Sequence, residues 1–363
     1  MKNQSIIVII ILVMAALLAV PAASADKSNA NRIQNLAELD AFHPDLSNDM
    51  YREWHYFNFI DEANDLKFFV TFNVGGDLTR QSGYGSLLMV YKFGDDPGQV
   101  GVVQGLYLPE FVDVSSDSPD LTFDDSIQRN YVKLMPNGYK VHAEGAMIQP
   151  PPLAPIPMIY DAIYLPKAEP TSIFNGSIGD TPGDMNWVSA APACKVMGSL
   201  TINGVEYNLN GVRGYHDHNW GNWSWNDNIG WDWGQAIEMN NDEPDTDVGR
   251  YTIVLGKLTN SDHTSDTGNR LLLWKNNHQI AVFENAEFEY DMIGPYPESI
   301  TATAQSGSDT VTSVFHTSSA IPIKVDPTLP FTIWELTGDY TVTGTIDGKS
   351  IHFITEGFAE YAY

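Results

Sequence analysis

The sequence has one cysteine, few basic residues and few long helical patterns, and each of these shortages excludes some classes of protein. The single cysteine, Cys194, cannot form an intrachain disulfide, so stability has to come from burial of apolar side chains. Nineteen basic residues against 46 acidic ones give a net charge of −27. This charge argues against a nucleic-acid partner and favours a neutral or apolar ligand, although it is equally typical of a protein kept soluble in a saline exterior.

Several common catalytic motifs are also missing. There is no G-x-S-x-G nucleophile elbow, no phosphate loop and no dinucleotide fingerprint, and we therefore expect no cofactor. The Asp-rich stretch at 240–247 leaves calcium as an alternative, but it lacks the ligand spacing of a calcium-binding loop.

The first 25 residues have the pattern of a secretory signal peptide. Lys2 precedes an uncharged apolar run over 6–20, and Ala23-Ser24-Ala25 forms a small-x-small cleavage site. We therefore predict an exported protein whose mature chain starts near Asp26. An uncleaved membrane anchor is the alternative.

Beyond the signal the sequence predicts an antiparallel all-β protein. Segments rich in β-branched and aromatic residues alternate with turn residues, and Asn137-Gly138, Asn203-Gly204 and Asp347-Gly348 predict tight hairpins. The region from Ala146 to Pro170 holds seven prolines and predicts an irregular crossover or a lid. The length favours two packed domains, built as sandwiches or barrels.

The most informative segment lies between Arg213 and Gly234. It contains five of the nine tryptophans, two histidines and three aspartates. Indole rings need burial and a partner for the N–H group, so a dense cluster of them beside ionisable groups is typical of a walled apolar ligand site.

Alternation along an extended strand divides this segment into two faces. Tyr215, Asp217 and Asn219 share one face, while His216, His218 and Trp220 share the other. If the first face points into a barrel, desolvation keeps Asp217 protonated near neutrality, and it can then donate a proton. The competing interpretation is an aspartate that caps a turn.

The His216-x-His218 pair raises a metal site as an alternative, with Glu53, His55 or Asp232 as further ligands. Because no longer ligand motif is present, we predict structural, hydrogen-bonded histidines and no metal. A second cluster runs from Arg52 to Asn58. There Glu53 and His55 share one face, while Trp54, Tyr56 and Asn58 share the other, as a half-buried first strand would also explain.

Three segments together resemble the carotenoid 1,2-hydratase (hydroxyneurosporene synthase) and AttH-like family. They are Glu53-Trp-His-Tyr-Phe57, then Gly211 to Gly221 followed by Trp231-Asp-Trp-Gly234, and finally Gly357-Phe-Ala-Glu-Tyr361. Their order and spacing match the family over nearly the whole mature chain. His55 departs from the pattern, because the family more often has a second tryptophan there.

The resemblance implies two tandem lipocalin-like (calycin) antiparallel β-barrels with a hydrophobic ligand cavity. We accordingly divide the chain into a signal peptide (1–25), an N-terminal extension (26–45), an N-terminal lipocalin-like domain (46–228) and a C-terminal one (229–363). The implied ligand is an isoprenoid or lipid, and a peripheral membrane contact is one route by which the protein would acquire it.

The implied reaction is protonation of a C=C bond and addition of water, with Asp217 as the acid. We expect His216 or His218 to orient Asp217, and aromatic faces to stabilise the cation. The predicted ligand-binding residues are Tyr215, Asn219, Trp220, Trp231, Trp233, Glu53, Trp54, His55 and Tyr56. A non-catalytic lipocalin that carries a lipophilic molecule is the alternative.

Overall fold

The structure, a computed structural model, describes residues 36–43, 47–94, 99–149, 152–181, 183–238, 251–325 and 328–363. The predicted signal peptide and the Asp-rich stretch at 240–247 lie outside these residues. A single helical turn over 36–39 precedes the first strand, and a 3-10 helix covers Pro109–Phe111. Within the described residues no helix is both long and apolar enough to span a bilayer.

The remaining elements are strands: β1 Tyr51–Asp61, β2 Leu66–Gly75, β3 Tyr84–Phe93, β4 Val100–Tyr107, β5 Val112–Val114, β6 Leu121–Asp124, β7 Arg129–Met135, β8 Gly138–Met147, β9 Ile156–Pro166, β10 Thr171–Ser177, β11 Asp184–Ile202, β12 Val205–Asn208, β13 Val212–Asn222, β14 Gly230–Ile237, β15 Tyr251–Thr259, β16 Asp266–Lys275, β17 His278–Glu284, β18 Glu287–Ile293, β19 Tyr296–Ser306, β20 Asp309–Ile323, β21 Ile333–Ile346 and β22 Lys349–Ala362.

The strands form two antiparallel sheets. Sheet A has the order β4-β3-β2-β1-β13-β11-β9-β8-β7-β6-β5, with β10 and β12 also paired to β11, and sheet B has the order β17-β16-β15-β14-β22-β21-β20-β19-β18. Sheet A curls into a nearly closed barrel, so that the side chain of Val103 on β4 reaches Gly145 on β8. The predicted fold class, antiparallel all-β with tandem barrel-like sheets, is confirmed.

Two of the predicted hairpins have the backbone that their sequence demands. Asn203-Gly204 joins β11 to β12 and Asp347-Gly348 joins β21 to β22, and in both pairs both residues have positive φ angles, between 50° and 80°. Such angles characterise the type I′ turn, which favours Asn-Gly and Asp-Gly. The third hairpin is shifted by one residue, because Gly138 pairs with Met135 and leaves 136–137 as the turn.

The prediction of an irregular crossover between Ala146 and Pro170 was wrong for its central part. Strand β9 lies there, paired with β8 on one side and β11 on the other. Its two prolines, Pro157 and Pro166, stand at the strand ends, where proline interferes least with the ladder. Between them Met158, Tyr160, Ala162 and Tyr164 are buried in strict alternation, a strand signal that the proline count obscured.

Three apolar cores follow from this architecture. One fills the inside of sheet A, one fills the inside of sheet B, and the third lies between the sheets and includes Tyr56 and Tyr215 from sheet A and Trp233 and Phe358 from sheet B. Because side chains alternate along a strand, Phe57 packs inside sheet A while Tyr56 packs between the sheets. Strands β1 and β13 therefore contribute to two separate cores.

Candidate functional site

The two motif-bearing segments of sheet A lie side by side. Strands β1 and β13 pair so that His55 faces His218 and Tyr56 faces Asp217 across the ladder. The division into faces predicted from alternation holds for both strands. The Asp217 face does not point into the barrel, which was the condition attached to its role as an acid. Tyr215 belongs to the core between the sheets, whereas the histidine face points into sheet A, where Phe57 packs against His216.

Asp217 is held by two hydrogen bonds to one of its oxygens. Trp187 Nε1 donates to Oδ2 at 3.0 Å, and the Tyr215 hydroxyl donates to the same atom at 2.9 Å. Tyr215 in turn accepts a hydrogen bond from Trp233 Nε1 at 3.2 Å. The other oxygen, Oδ1, takes part in neither bond, and the residue keeps 3% of its surface exposed.

This environment favours the protonated form of Asp217. Burial raises the pKa of its carboxyl well above the usual value, and the nearby charge of Glu360 raises it further. The hydrogen bonds from Trp187 and Tyr215 act in the opposite direction, but the net shift of the pKa is upward. Asp217 is therefore a buried carboxyl that is suited to hold a proton near neutrality.

A cavity of about 690 Å³ lies between the two sheets beside this group. Sheet A contributes Trp54, Tyr56 and Phe69 to its wall, and sheet B contributes Trp231. The volume and the aromatic lining match a site for a small apolar molecule. Asp217 itself is not among the lining residues, whereas Tyr56, its partner across the ladder, is one of them.

Two carboxyl groups that the sequence analysis did not assign line the cavity. Glu335 on β21 and Glu360 on β22 face each other in the ladder and share a side-chain hydrogen bond. The Tyr56 hydroxyl donates to Glu335 Oε1 at 2.7 Å, and Trp231 Nε1 donates to Glu360 Oε2 at 2.7 Å. Two carboxyls in such contact hold one proton between them, because both cannot ionise easily.

The pKa values of this pair are raised accordingly. Burial and the charge of Glu360 raise the pKa of Glu335 well above its usual value. Burial raises the pKa of Glu360 to about 7, although hydrogen bonds from Trp231 and Glu335 act against the shift. The pair therefore changes its charge close to neutral pH.

Stability should fall as the pH rises through this range. The pKa of Glu360 is about 7 in the folded protein against an ordinary value of 4.5, so the folded state binds its proton more tightly. The contribution is complete below pH 4.5 and is lost as the pH passes 7. Because Glu360 is partly exposed to the cavity, we expect a loss of about 2 kcal/mol.

Urea unfolding at a series of pH values measures this decline. It should be shallower in Glu360→Gln, whereas the exposed control Glu298→Gln should keep the wild-type slope. A decline of equal size in Glu360→Gln would show that other groups cause it.

The opposite face of β1 and β13 holds a buried cluster of histidines and carboxylates. Asp40, from the N-terminal segment, lies 2.9 Å from His216 Nε2 and 3.1 Å from His218 Nδ1. His218 Nε2 lies 2.6 Å from Glu53 Oε1, and the ring of His55 stacks on His218 at 4.0 Å. These five residues, Asp40, Glu53, His55, His216 and His218, are essentially inaccessible to solvent.

This geometry corrects the role expected for the two histidines. We had predicted that His216 or His218 orients Asp217, but both histidines point away from it. Trp187 and Tyr215 hold Asp217 in place instead. Trp220 lies on the histidine face, where its ring stacks on His43 at 3.5 Å. His55 likewise belongs to this second cluster and does not line the cavity. Glu53 belongs to the cluster through His218 and also lines the cavity.

The other predicted ligand-binding residues lie near the cavity side. Trp54 and Trp231 approach each other at 6.0 Å in the wall, and Trp233 packs edge-on against Tyr56 at 5.1 Å. Asn219 is buried on the same face as Asp217. Asp232, an alternative metal ligand in the sequence, lies instead in sheet B, where it accepts hydrogen bonds from Tyr290 and His263.

Comparison with known proteins places the fold but not the family. No profile of a known protein family matches the sequence, and no curated protein matches it. Solved structures of similar fold include the following three. An AttH candidate from Nitrosomonas europaea has 14% identity and a TM-score of 0.59, covering 89% of this chain and 95% of that one.

The second similar structure is CghA, solved with Sch210972, with 11% identity and a TM-score of 0.56 over 86% of this chain and 88% of that one. The third is kievitone hydratase from Nectria haematococca, with 15% identity and a TM-score of 0.53 over 87% and 90%. At such identities the likeness establishes a shared fold. The resemblance to AttH-like proteins is thus confirmed at the level of the fold.

Proposed function

We propose that this protein is a hydratase-type enzyme that adds water across a C=C bond of an apolar isoprenoid or lipid held between the sheets. The observation that carries the proposal is a set of three carboxyl groups with raised pKa values: Glu335 and Glu360 line an aromatic cavity, and Asp217 lies behind its wall, across the ladder from the lining residue Tyr56. Such a site offers a proton donor and a proton acceptor in one apolar space. The hydratase among the structures of the same fold supports the proposal by analogy.

Asp217 is the proposed acid. Because Oδ2 already accepts two hydrogen bonds, the proton resides on Oδ1 and is directed away from Trp187 and Tyr215. Transfer of this proton to one alkene carbon leaves a carbocation on the other. The same two hydrogen bonds then stabilise the carboxylate that remains.

The carbocation would form among aromatic faces. Trp54, Tyr56 and Trp231 line the cavity. The Glu335–Glu360 pair contacts this lining, because Tyr56 and Trp231 are hydrogen-bonded to it. Aromatic rings attract positive charge, and a carboxylate pair with one net negative charge adds to this attraction. The wall therefore favours the cation over the neutral alkene.

The Glu335–Glu360 pair is the proposed base. Water adds to the cation through its oxygen lone pair, and the proton that it loses passes to the singly ionised pair. A proton then returns from the pair to Asp217, directly or through water in the cavity. The net result is one water molecule consumed, one C–O and one C–H bond formed, and an enzyme restored to its starting state.

The alternative function is a carrier of a lipophilic molecule. Its support is the position of Asp217 behind the cavity wall rather than among the lining residues. Extraction of the purified protein with organic solvent, followed by mass spectrometry, identifies the bound ligand class. Incubation of that ligand with the protein in ¹⁸O-labelled water then separates the two functions, since only a hydratase gives a product with the label.

We also propose that the protein is exported and meets its ligand at a membrane surface. The signal-like sequence at 1–25 supports export. Leu106, which borders the cavity and is 75% exposed, supports a contact with lipid near the cavity entrance. Recovery of a chain that starts near Asp26 outside the cytoplasm would support the first point.

A further inference from the structure

Three chain segments bring possible metal ligands together inside sheet A. Asp40 comes from the segment at 36–43, His55 from β1 and His216 from β13, and none of the three side chains is accessible to solvent. One ligand atom from each lies within 4.8 Å of the others. A cluster of this kind needs a reason, because burial of polar groups without partners is unfavourable.

His55 is the member that hydrogen bonding does not explain. Among the residues that the structure describes, neither of its ring nitrogens has a hydrogen-bond partner. Its Nδ1 lies 3.8 Å from Asp40 Oδ1, beyond hydrogen-bonding distance, and the nearest nitrogen to that oxygen is His218 Nδ1 at 3.1 Å. A buried imidazole beside a carboxylate, with neither ring nitrogen hydrogen-bonded among the described residues, is an arrangement that a bound cation would satisfy.

His216 has the second feature of a metal ligand. Its Nδ1 lies 2.9 Å from the backbone oxygen of Tyr56, which can only accept, so Nδ1 carries a proton. Ligating histidines are commonly oriented by such a bond, which leaves Nε2 free to bind the ion. Here Nε2 is hydrogen-bonded to Asp40 Oδ2 at 2.9 Å, and an ion bound by both atoms would replace this bond.

We propose that Asp40, His55 and His216 bind a divalent transition-metal ion of the zinc type, which fastens the segment at 36–43 to β1 and β13. Two imidazoles and one carboxylate form a donor set that suits Zn²⁺. Tyr139 adds a further polar group, because its ring packs 4.7 Å from His216 and its buried hydroxyl interacts with Asp40. The site is separate from the cavity and from the chemistry proposed there.

A neighbouring triad of His43, Glu53 and His218 is the competing location. Its donor atoms also lie within 4.8 Å of one another. However, the Glu53 carboxylate already accepts from His218 at 2.6 Å and from the backbone N–H of His43 at 3.2 Å, and each histidine of this triad has one ring nitrogen without a partner among the described residues, where His55 has two. The unpartnered nitrogens of His55 favour the first triad.

The test is zinc binding by the purified full chain, compared with His55→Phe. Phenylalanine keeps the ring contacts with His218 and Phe42 and removes no hydrogen bond, so the variant should fold. One preparation is purified from zinc-supplemented cultures. The other is stripped with a chelator and then titrated with zinc. Elemental analysis measures stoichiometry, and thermal unfolding measures the effect of the ion.

The wild type should hold one zinc per chain, and zinc should raise its Tm by about 3 °C or more at saturation. His55→Phe should bind zinc at least ~100-fold more weakly and lose the Tm shift, while the exposed control His316→Asn and the neighbouring-triad variant His43→Asn should retain both. Absence of zinc from the wild type in both preparations would overturn the proposal. So would unchanged binding by His55→Phe, or a loss confined to His43→Asn.

Discussion

Asp217→Asn is expected to lower the hydration rate by about 10²–10⁴-fold, because the amide has no proton to transfer to the alkene. The substitution preserves shape, and the amide oxygen can still accept from Trp187 and Tyr215. The measurement is turnover of the extracted ligand in ¹⁸O-labelled water. Ligand binding should change little, because asparagine has the shape of aspartic acid and the aromatic lining of the cavity is unchanged.

Two comparisons show whether the loss reflects the acid. Tyr215→Phe removes one of the two donors to Asp217 and should lower the rate less than Asp217→Asn does. Asp184→Asn, at an exposed position at the start of β11, should leave the rate unchanged. Retained turnover in a folded Asp217→Asn protein would rule out Asp217 as the proton donor.

Glu360→Gln and Glu335→Gln are expected to lower the rate by about 10²-fold each, because either change removes the proton acceptor for water. The wild-type rate should rise as the pH approaches 7, where Glu360 loses its proton. It should fall again at higher pH, where Asp217, with its raised pKa, becomes ionised. The rate therefore rises with the ionisation of Glu360 and falls with the ionisation of Asp217.

The pH profile distinguishes the base from a merely structural pair. In Glu360→Gln the rising limb near pH 7 should disappear, whereas the falling limb that reports Asp217 should remain. Asp339→Asn, at an exposed position on the strand that carries Glu335, is the matched control and should keep both limbs. A rising limb that persists in both glutamine variants would assign the base to another group.

Local sequence patterns predicted the strand faces and two of the hairpins correctly. Alternation along 213–222 separated Asp217 from His216 and His218, and the Asn203-Gly204 and Asp347-Gly348 hairpins were visible as dipeptides. These features depend on neighbouring residues, so a single sequence contains them. The direction in which each face points cannot be predicted in this way, because it depends on which sheet packs against the strand.

The partners of the site lie far away in the chain, and this explains what the sequence did not provide. Trp187 reaches Asp217 only because β11 pairs with β13, and Glu335 meets Glu360 only through the register of β21 and β22. Glu360 lies in the C-terminal family motif at 357–361, where an acidic residue among apolar ones could have indicated a site residue. Asp40 had none, since it lies in the segment that we assigned to an N-terminal extension.

The protonation state of Asp217 tests the central claim most directly. Infrared difference spectra of the wild type and Asp217→Asn, recorded across a pH titration, isolate the carbonyl band of this one carboxylic acid. The account predicts that the band persists at pH 7, because burial and the charge of Glu360 hold the proton on Asp217. Loss of the band near pH 4, as in a solvent-exposed aspartate, would contradict the proposed acid and the mechanism that depends on it.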